Sequence, residues 1–438
     1  MKKFVQQLGE NKVYALLNKI VPTLNGLLTV FVIIRTIPKE EFGLLTLINT
    51  FEFFVFAFSG GLIFQGLQKY AAEVTGNILD ELVSTAVLFY FVLSLIPSLV
   101  IVLISPWLAQ LLHAETLLHL LKWLPFLVIS FWVRRLAYYI LLAKEKVKEV
   151  FVIDLVPFII KALIILILWR LGYLDKAKVV VLVIITANIG STLVSIFYLR
   201  KIVKFRLIIN MDWVTKLIQF GKYSLGTTIG HFIHTRTDTL MIAYFYNPIA
   251  LAMYSAAKGI ADFFRQFAQA ANMIVLPRTS SLFAKNDKKG VRSIFYKGII
   301  YSFILITPIA LTILLIPHFI LDVAYHGKYS ESANILRMFA LSSLISPLGT
   351  IGSSISGGIG KPNYTFIAIW TSVVVNVGLN LFLIPKFGPI GAAYGTFVAM
   401  FVGGTIITFL NHRKVNLSIT EEEKIIVRNL ISRFSRRI

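Results

Sequence analysis

Apolar residues in this chain run together in long stretches separated by short polar segments, rather than alternating with polar positions. A helix needs about 20 predominantly apolar residues to cross a bilayer, so each stretch reads as a membrane span. Twelve spans are predicted, near residues 13–34, 42–65, 83–104, 117–142, 150–170, 178–199, 215–234, 238–256 (continuing to 276), 293–316, 332–358, 363–384 and 389–411. Polar residues interrupt the seventh and eighth most heavily, and Asn247-Pro248 is the one obvious turn there. The first stretch is too long for a signal-peptide core and lacks a small-residue cleavage site, so it is expected to stay as a span.

Composition agrees. Of 438 residues, 57% are hydrophobic and 15% charged, against roughly 45–50% and about 25% in soluble proteins. Twelve spans leave no room for a soluble domain of ordinary size. The expected fold class is an all-α integral membrane protein of about twelve transmembrane helices.

The 43 Lys and Arg outnumber the 21 Asp and Glu, for a net charge of +22. In a soluble protein that excess would suggest nucleic acid. Here it gathers in alternate loops, so membrane lipids are the expected partner and nucleic acid is not. Lys144, Lys146 and Lys148, then Arg200, Lys201, Lys204 and Arg206, then Lys285, Lys288, Lys289 and Arg292 mark one side, with the basic tail. The other side holds scattered cases such as Lys39, Lys176, Lys178, Lys328 and Lys386. Both termini of a multi-pass cell-membrane protein are therefore expected in the cytoplasm. No cysteine is present, which excludes disulfides and thiolate chemistry. The seven histidines are little clustered, so neither a metal site nor a cofactor is expected.

The chain also looks doubled. Phe42-Gly43-Leu44-Leu45 after the first span corresponds to Leu251-Ala252-Met253-Tyr254 after the seventh, and the same offset sets Gln68-Lys69 on Pro277-Arg278. Leu171-Gly172 after the fifth span resembles Phe387-Gly388 after the eleventh. Two six-helix bundles related by a parallel repeat are expected. They cover residues 1–205 and 206–411, joined by a basic linker and followed by a basic amphipathic cytoplasmic tail, 412–438.

Three segments of the second half carry a resemblance: Leu251-Ala252-Met253-Tyr254-Ser255-Ala256-Ala257; Gly327-Lys328-Tyr329 with Ser332-Ala333 and Leu336; and Gly360-Lys361-Pro362 with Asn376, Asn380, Ile384-Pro385, Gly388 and Gly391-Ala392-Ala393. They resemble the polysaccharide flippase branch of the multidrug/oligosaccharidyl-lipid/polysaccharide exporter superfamily, except that Ala252 stands where that branch usually has glycine. The resemblance implies a carrier that moves a lipid-linked oligosaccharide or polysaccharide repeat unit across the cytoplasmic membrane by alternating access. It also implies a lipid-linked diphosphate sugar as substrate, and other polysaccharide-assembly membrane proteins as candidate partners.

Charged residues inside the spans are the candidate site, because a charge at bilayer depth costs at least about 2.5–3.5 kcal/mol. Eight cations lie there (Lys19, Arg134, Arg135, Lys161, Lys222, Arg236, Lys258, Arg265) against four acids, Glu52, Asp154, Asp238 and Asp262. Lys258, Asp262, Arg265, Gln269 and Asn272 recur at steps of four and three along one helix face. A cavity lined by helices 1, 2, 7 and 8 would solvate these stripes, and its excess cation, with Lys19, Arg135 and Lys161, suits a diphosphate. Glu52, Asp238, His231 and His234 are the candidates for coupling to H⁺ or Na⁺. Plainer alternatives stay open: Lys19, Lys222 and Arg236 could snorkel to the interface, Asp154 and Lys161 could simply pair, and the histidines could be hydrogen-bonded core residues. Arg134 and Arg135 point about 100° apart on a helix, so at most one is expected to line the cavity.

Gly357-Gly358-Ile359-Gly360-Lys361-Pro362 is not a phosphate loop, because Pro362 occupies the position that needs Ser or Thr. Two alternative functions remain. A cation-coupled multidrug exporter would want an acid-rich cavity. A membrane-embedded glycosyltransferase or polymerase would draw acids or bases from outside loops, of which the longest offers only Asp322, His326 and Glu331. The favoured reading is therefore not an enzyme.

The orientation has a direct test, helped by the lack of native cysteine. Lys328→Cys should react with impermeant thiol reagents from outside and Lys288→Cys only from inside; labelling of Lys288→Cys from outside would reverse the topology.

Overall fold

The computed structural model describes residues 13–14, 17–18, 20–268 and 272–417, and among them every regular element is helical. Twelve helices answer to the twelve predicted spans: α1 (Ile20–Thr36), α2 (Lys39–Glu73), α3 (Gly76–Leu103), α4 (Leu117–Ala143), α5 (Val147–Leu171) and α6 (Ala177–Leu199). These are followed by α7 (Met211–Phe245), α8 (Pro248–Ala268), α9 (Lys288–Leu315), α10 (Ala333–Gly358), α11 (Pro362–Phe387) and α12 (Pro389–Val415). Shorter helices, Ser105–Leu111, Asn272–Ala284 and Pro317–Tyr325, lie between them. Among the described residues, nine helices are long and apolar enough to cross a membrane; α1 is shorter, and α7 and α8 are the polar ones. The chain is an all-α, multi-pass membrane protein.

The seventh and eighth helices differ from expectation. The predicted break between residues 234 and 238 does not exist, and α7 continues through Arg236 and Asp238 to Phe245. The hydroxyls of Thr235 and Thr237 donate to the carbonyls of His231 and Ile233, at 2.8 and 2.6 Å, so these polar residues satisfy themselves within the helix. The turn falls at Asn247-Pro248, where Asn247 Oδ1 accepts the Ala250 N–H at 2.9 Å.

Packing divides the chain into two compact units, Met1–Ser255 and Ala256–Ile438, whereas the repeat expected from the sequence would divide it at 205/206. The packing boundary lies later because α7 lies along α2 inside the first unit. Both helices have 35 residues, about 50 Å, and meet through glycines. A Cβ on Gly221 would sit 1.8 Å from the Leu62 carbonyl oxygen, and one on Gly61 would sit 3.0 Å from Leu225 Cα. Without hydrophobic drive between helices in lipid, such close backbone approach gains packing and weak polar contacts.

α4 shows how local pattern places chemistry. Its last segment, Trp132–Ala143, buries Leu136, Ala137, Ile140 and Leu141 completely. Arg134, Arg135, Tyr138 and Tyr139 therefore share the other face.

In the second unit, buried amides and hydroxyls join helices. Asn411 of α12 donates to the Gly352 carbonyl of α10 at 2.9 Å and accepts from Ser356 Oγ at 2.9 Å. Asn380 donates to Asn376 along α11 at 3.2 Å. Tyr325, two residues before the Gly327-Lys328-Tyr329 segment, bridges to another motif segment: its Oη donates to the Ala256 carbonyl at 3.0 Å and its ring packs edge-on to Tyr329.

The α2–α7 contact makes a matched prediction. Gly221→Ala should lower the melting temperature of the detergent-solubilised protein, by about 1–3 kcal/mol of overpacking or more. Gly226→Ala on the same helix, where a Cβ meets nothing within 4 Å, should be neutral or slightly stabilising. Equal effects would show that the close approach is not what holds the pair.

Candidate functional site in the first unit

Four helices bring charge to one place. α2 supplies Asn49, Glu52, Phe53 and Phe56; α4 supplies Arg134, Arg135, Tyr138 and Tyr139; α5 supplies Asp154; and α7 supplies Arg236. They line a cavity of about 520 Å³. A neighbouring space of about 440 Å³ shares Asn49, Glu52, Arg134 and Asp154 and adds Asn25 and Thr29 from α1, Lys161 from α5 and Asn188 from α6. All lining residues of both belong to the first unit. Together they present four cations (Arg134, Arg135, Lys161, Arg236) and two acids, Glu52 and Asp154.

The acids are used as counter-ions. Arg134 Nη2 meets Asp154 Oδ1 at 2.8 Å and Arg135 Nη2 meets Glu52 Oε1 at 2.5 Å, with the four side chains 19–25% exposed. The Arg135 guanidinium also lies 3.8 Å from the ring centre of Phe56 and 4.0 Å from that of Phe131. Cation–π contact of this kind holds the fork flat and leaves its edge for hydrogen bonding. Lys161 Nζ donates to Asn25 Oδ1. The Arg236 guanidinium lies 5.2 Å from the Phe53 ring centre.

Several expectations are corrected. Arg134 and Arg135 both line the cavity, although they are consecutive, because each long side chain reaches a partner on a different flanking helix. Asp154 and Lys161 do not pair: Asp154 turns to Arg134 and Lys161 to Asn25, on helices that spacing along α5 could not reveal. Lys222 is exposed, 5.1 Å over the Tyr223 ring, as a snorkelling lysine would be.

Other candidates lie elsewhere. Asp238 is buried and accepts from Tyr254 Oη at 2.6 Å. His231 meets the edge of the Phe53 ring with centroids 6.4 Å apart, and His234 follows one turn later on α7. Lys258 and Asp262 are half-buried on α8, in the second unit. Lys19 and Gln269 lie outside the described residues, as do the side chains of Arg265 and Asn272. Sequence reasoning missed the aromatic members Phe53, Phe56, Tyr138 and Tyr139. The signal was the pattern itself, two arginines followed one turn later by two tyrosines on a helix whose other face is wholly apolar.

With this geometry in place, comparison with known proteins identifies the family. Residues 32–334 match the family described as polysaccharide biosynthesis protein. The chain belongs to that family. Among curated relatives, it is 25% identical over 180 residues to a protein of Haloferax volcanii described as probable low-salt glycan biosynthesis flippase Agl15. That match covers 41% of this chain and 38% of the relative, so the chain spans well under two thirds of the relative's length. Two solved structures share the fold. The lipid II flippase MurJ, in an inward closed conformation, superposes with TM-score 0.74 at 16% identity, covering 96% of this chain and 92% of that one. An inward-facing multidrug resistance MATE family transporter of the MOP superfamily superposes with TM-score 0.72 at 13% identity, covering 91% and 94%.

The ion pairs can be tested without transport. In a double-mutant cycle on thermal unfolding, Glu52→Ala and Arg135→Ala should be non-additive by about 0.5–3 kcal/mol. The control cycle, Glu52→Ala with Lys161→Ala, should be close to additive, because Lys161 bonds Asn25 instead. Additivity in both cycles would dissolve the Arg135–Glu52 pairing.

Proposed function

We propose that this member of the polysaccharide biosynthesis family moves a lipid-linked oligosaccharide or polysaccharide repeat unit across the cytoplasmic membrane by alternating access. The diphosphate is held at Arg134, Arg135, Lys161 and Arg236. The observation that carries the reading is the charge balance of the cavity, four cations to two acids within a membrane-spanning unit. An anionic head group finds there the planar donor forks that suit phosphate. Phe53, Phe56, Tyr138 and Tyr139 offer apolar faces and, on the tyrosines, hydroxyls beside them for the sugar. The relative described as a probable glycan biosynthesis flippase supports the substrate class, and the fold shared with MurJ suits translocation.

No covalent bond is made or broken in this reading, so the chain is not an enzyme. The arginines must exchange partners. When the diphosphate binds, it competes with Glu52 and Asp154 for guanidinium hydrogens, and when it leaves, the carboxylates take them back. Neutralising the two arginines in this way suits a carrier, because it must return empty through the same low-dielectric interior. The stripe of Lys258, Asp262, Arg265, Gln269 and Asn272 remains a second set of candidate contacts, with Lys19. Glu52, Asp238, His231 and His234 remain candidates for coupling to H⁺ or Na⁺. The division into bundles over 1–205 and 206–411 with a tail over 412–438, and the cytoplasmic placement of both termini, belong to the same proposal. So does contact with other polysaccharide-assembly membrane proteins.

The multidrug reading is less well served, since cationic drugs would meet a cavity of like charge.

The test is the flipping rate of a lipid-linked diphosphate sugar in reconstituted vesicles, per folded molecule. Arg134→Ala and Arg135→Ala should each slow flipping about tenfold or more, the worth of a charge-assisted hydrogen bond. Arg135→Lys should be impaired too, because an ammonium cannot reproduce the fork. Unchanged rates in all three variants, with export of a cationic dye, would replace this reading by the drug exporter.

A further inference from the structure

The linker between α6 and α7 is folded inside out for a segment that faces water. Three of its backbone N–H groups donate into side chains on the first turns of α3: Lys204 to Asp80 Oδ1 at 2.8 Å, Arg206 to Ser84 Oγ at 2.9 Å and Asn210 to Thr85 Oγ1 at 3.0 Å. Asn210 Nδ2 adds a bond to Glu81 Oε1 at 2.8 Å. These acceptors sit three and four residues apart, so one face of α3 holds the linker against it. Asp80, Ser84 and Thr85 are buried beneath it.

The polar contacts thus point inward, and the apolar side chains are left outside. Leu207 is 83% exposed and Met211 70%, with Phe205, Ile208 and Ile209 exposed beside them. Left in water, such a cluster is a liability that the ordered hydrogen bonds beneath it would only make permanent. Its place in the fold says what covers it. It follows directly on α6, whose Leu193 and Phe197 are exposed along a membrane span up to the helix end. The Lys201 ammonium lies 4.1 Å from the Phe197 ring centre, and the Lys216 ammonium 4.4 Å from that of Trp213. Trp213 is itself buried, but a lysine at the end of a span, as Lys201 is, carries its ammonium to the level of the lipid head groups.

Charge selects the lipid. Residues 200–216 carry five cations (Arg200, Lys201, Lys204, Arg206, Lys216) and one acid, Asp212. Among the described residues none of the five forms an ion pair. The nearby acids Asp80 and Glu81 are occupied with a backbone N–H and an amide instead.

We infer that residues 200–211 form a strap that docks on the membrane surface, with Leu207 and its apolar neighbours in the acyl boundary and the cations on anionic lipid head groups. A basic segment next to an apolar one gains from both terms, and each cation near an anionic surface contributes separately.

The absence of native cysteine makes the test direct. Leu207→Cys in the full-length protein is labelled with an environment-sensitive fluorophore and reconstituted in phosphatidylcholine vesicles with or without phosphatidylglycerol. The label should be quenched by lipid-borne nitroxide, shielded from aqueous iodide, and more so with phosphatidylglycerol. Replacing Arg200, Lys201, Lys204 and Arg206 by Gln, all exposed side chains, should weaken the phosphatidylglycerol effect by about fivefold per charge. Iodide quenching of the label at the level of a label on Lys288→Cys would overturn the docking and leave the surface to a soluble partner or to water. Lipid quenching that ignores phosphatidylglycerol would overturn the selection of anionic lipid.

Discussion

A guanidinium at bilayer depth must be given a counter-charge, and much of the first unit is arranged around that requirement. Arg134 and Arg135 stand side by side on α4, yet α2 brings Glu52 to one and α5 brings Asp154 to the other. Rings of Phe56 and Phe131 cover the second arginine. Each charge is thereby neutralised by a group from a different helix, and the three helices cannot shift independently without exposing a charge to hydrocarbon. The same arrangement is chemically reversible. In the proposed transport reading, the carboxylates paired with these arginines would compete with an entering phosphate, and binding would then be reversible.

Close helix packing makes that arrangement possible. α2 must bring Glu52, Phe53 and Phe56 to the cavity at one level while lying against α7 further along. Gly61, Gly66 and Gly221 let the two backbones approach, and Arg236 reaches the cavity from α7. On α7 the polar side chains that seemed to divide the helix are absorbed by it, since threonine hydroxyls return their hydrogen bonds to the preceding turn. A polar helix of this kind would be poorly stable facing lipid and is well placed where neighbours or water meet its polar side.

The chain belongs to the polysaccharide biosynthesis family and shares its fold with both a lipid II flippase and a multidrug resistance transporter, so the fold alone does not name a cargo. What separates them has to be sought in the cavity rather than in the helices. Here the lining carries more guanidinium and ammonium than carboxylate, and the residues of the sequence motifs are spent elsewhere. Ala256 on α8 accepts a hydrogen bond from Tyr325 of a short helix. Asn376 and Asn380 bond each other along α11. Those residues serve the scaffold, and the proposed cargo rests on the cavity.

The sequence by itself determined the spans other than the seventh and eighth, the membrane, the basic loops and the set of charges that had to be sheltered, because run length, periodicity and charge are local properties of a chain. Helix ends such as Gly172 and Gly388, both with positive φ, were legible for the same reason. Only the tertiary structure decided which charges meet. Glu52 lies 83 residues from Arg135 and Asn25 lies 136 from Lys161, and an ion pair needs its atoms within a few ångströms. That proximity is set by how the apolar faces of α2, α4 and α5 pack, and no spacing within one helix encodes it. The same holds for the linker after α6: its composition announced a basic loop, but only its hydrogen bonds to α3 turned Leu207 and Met211 outward.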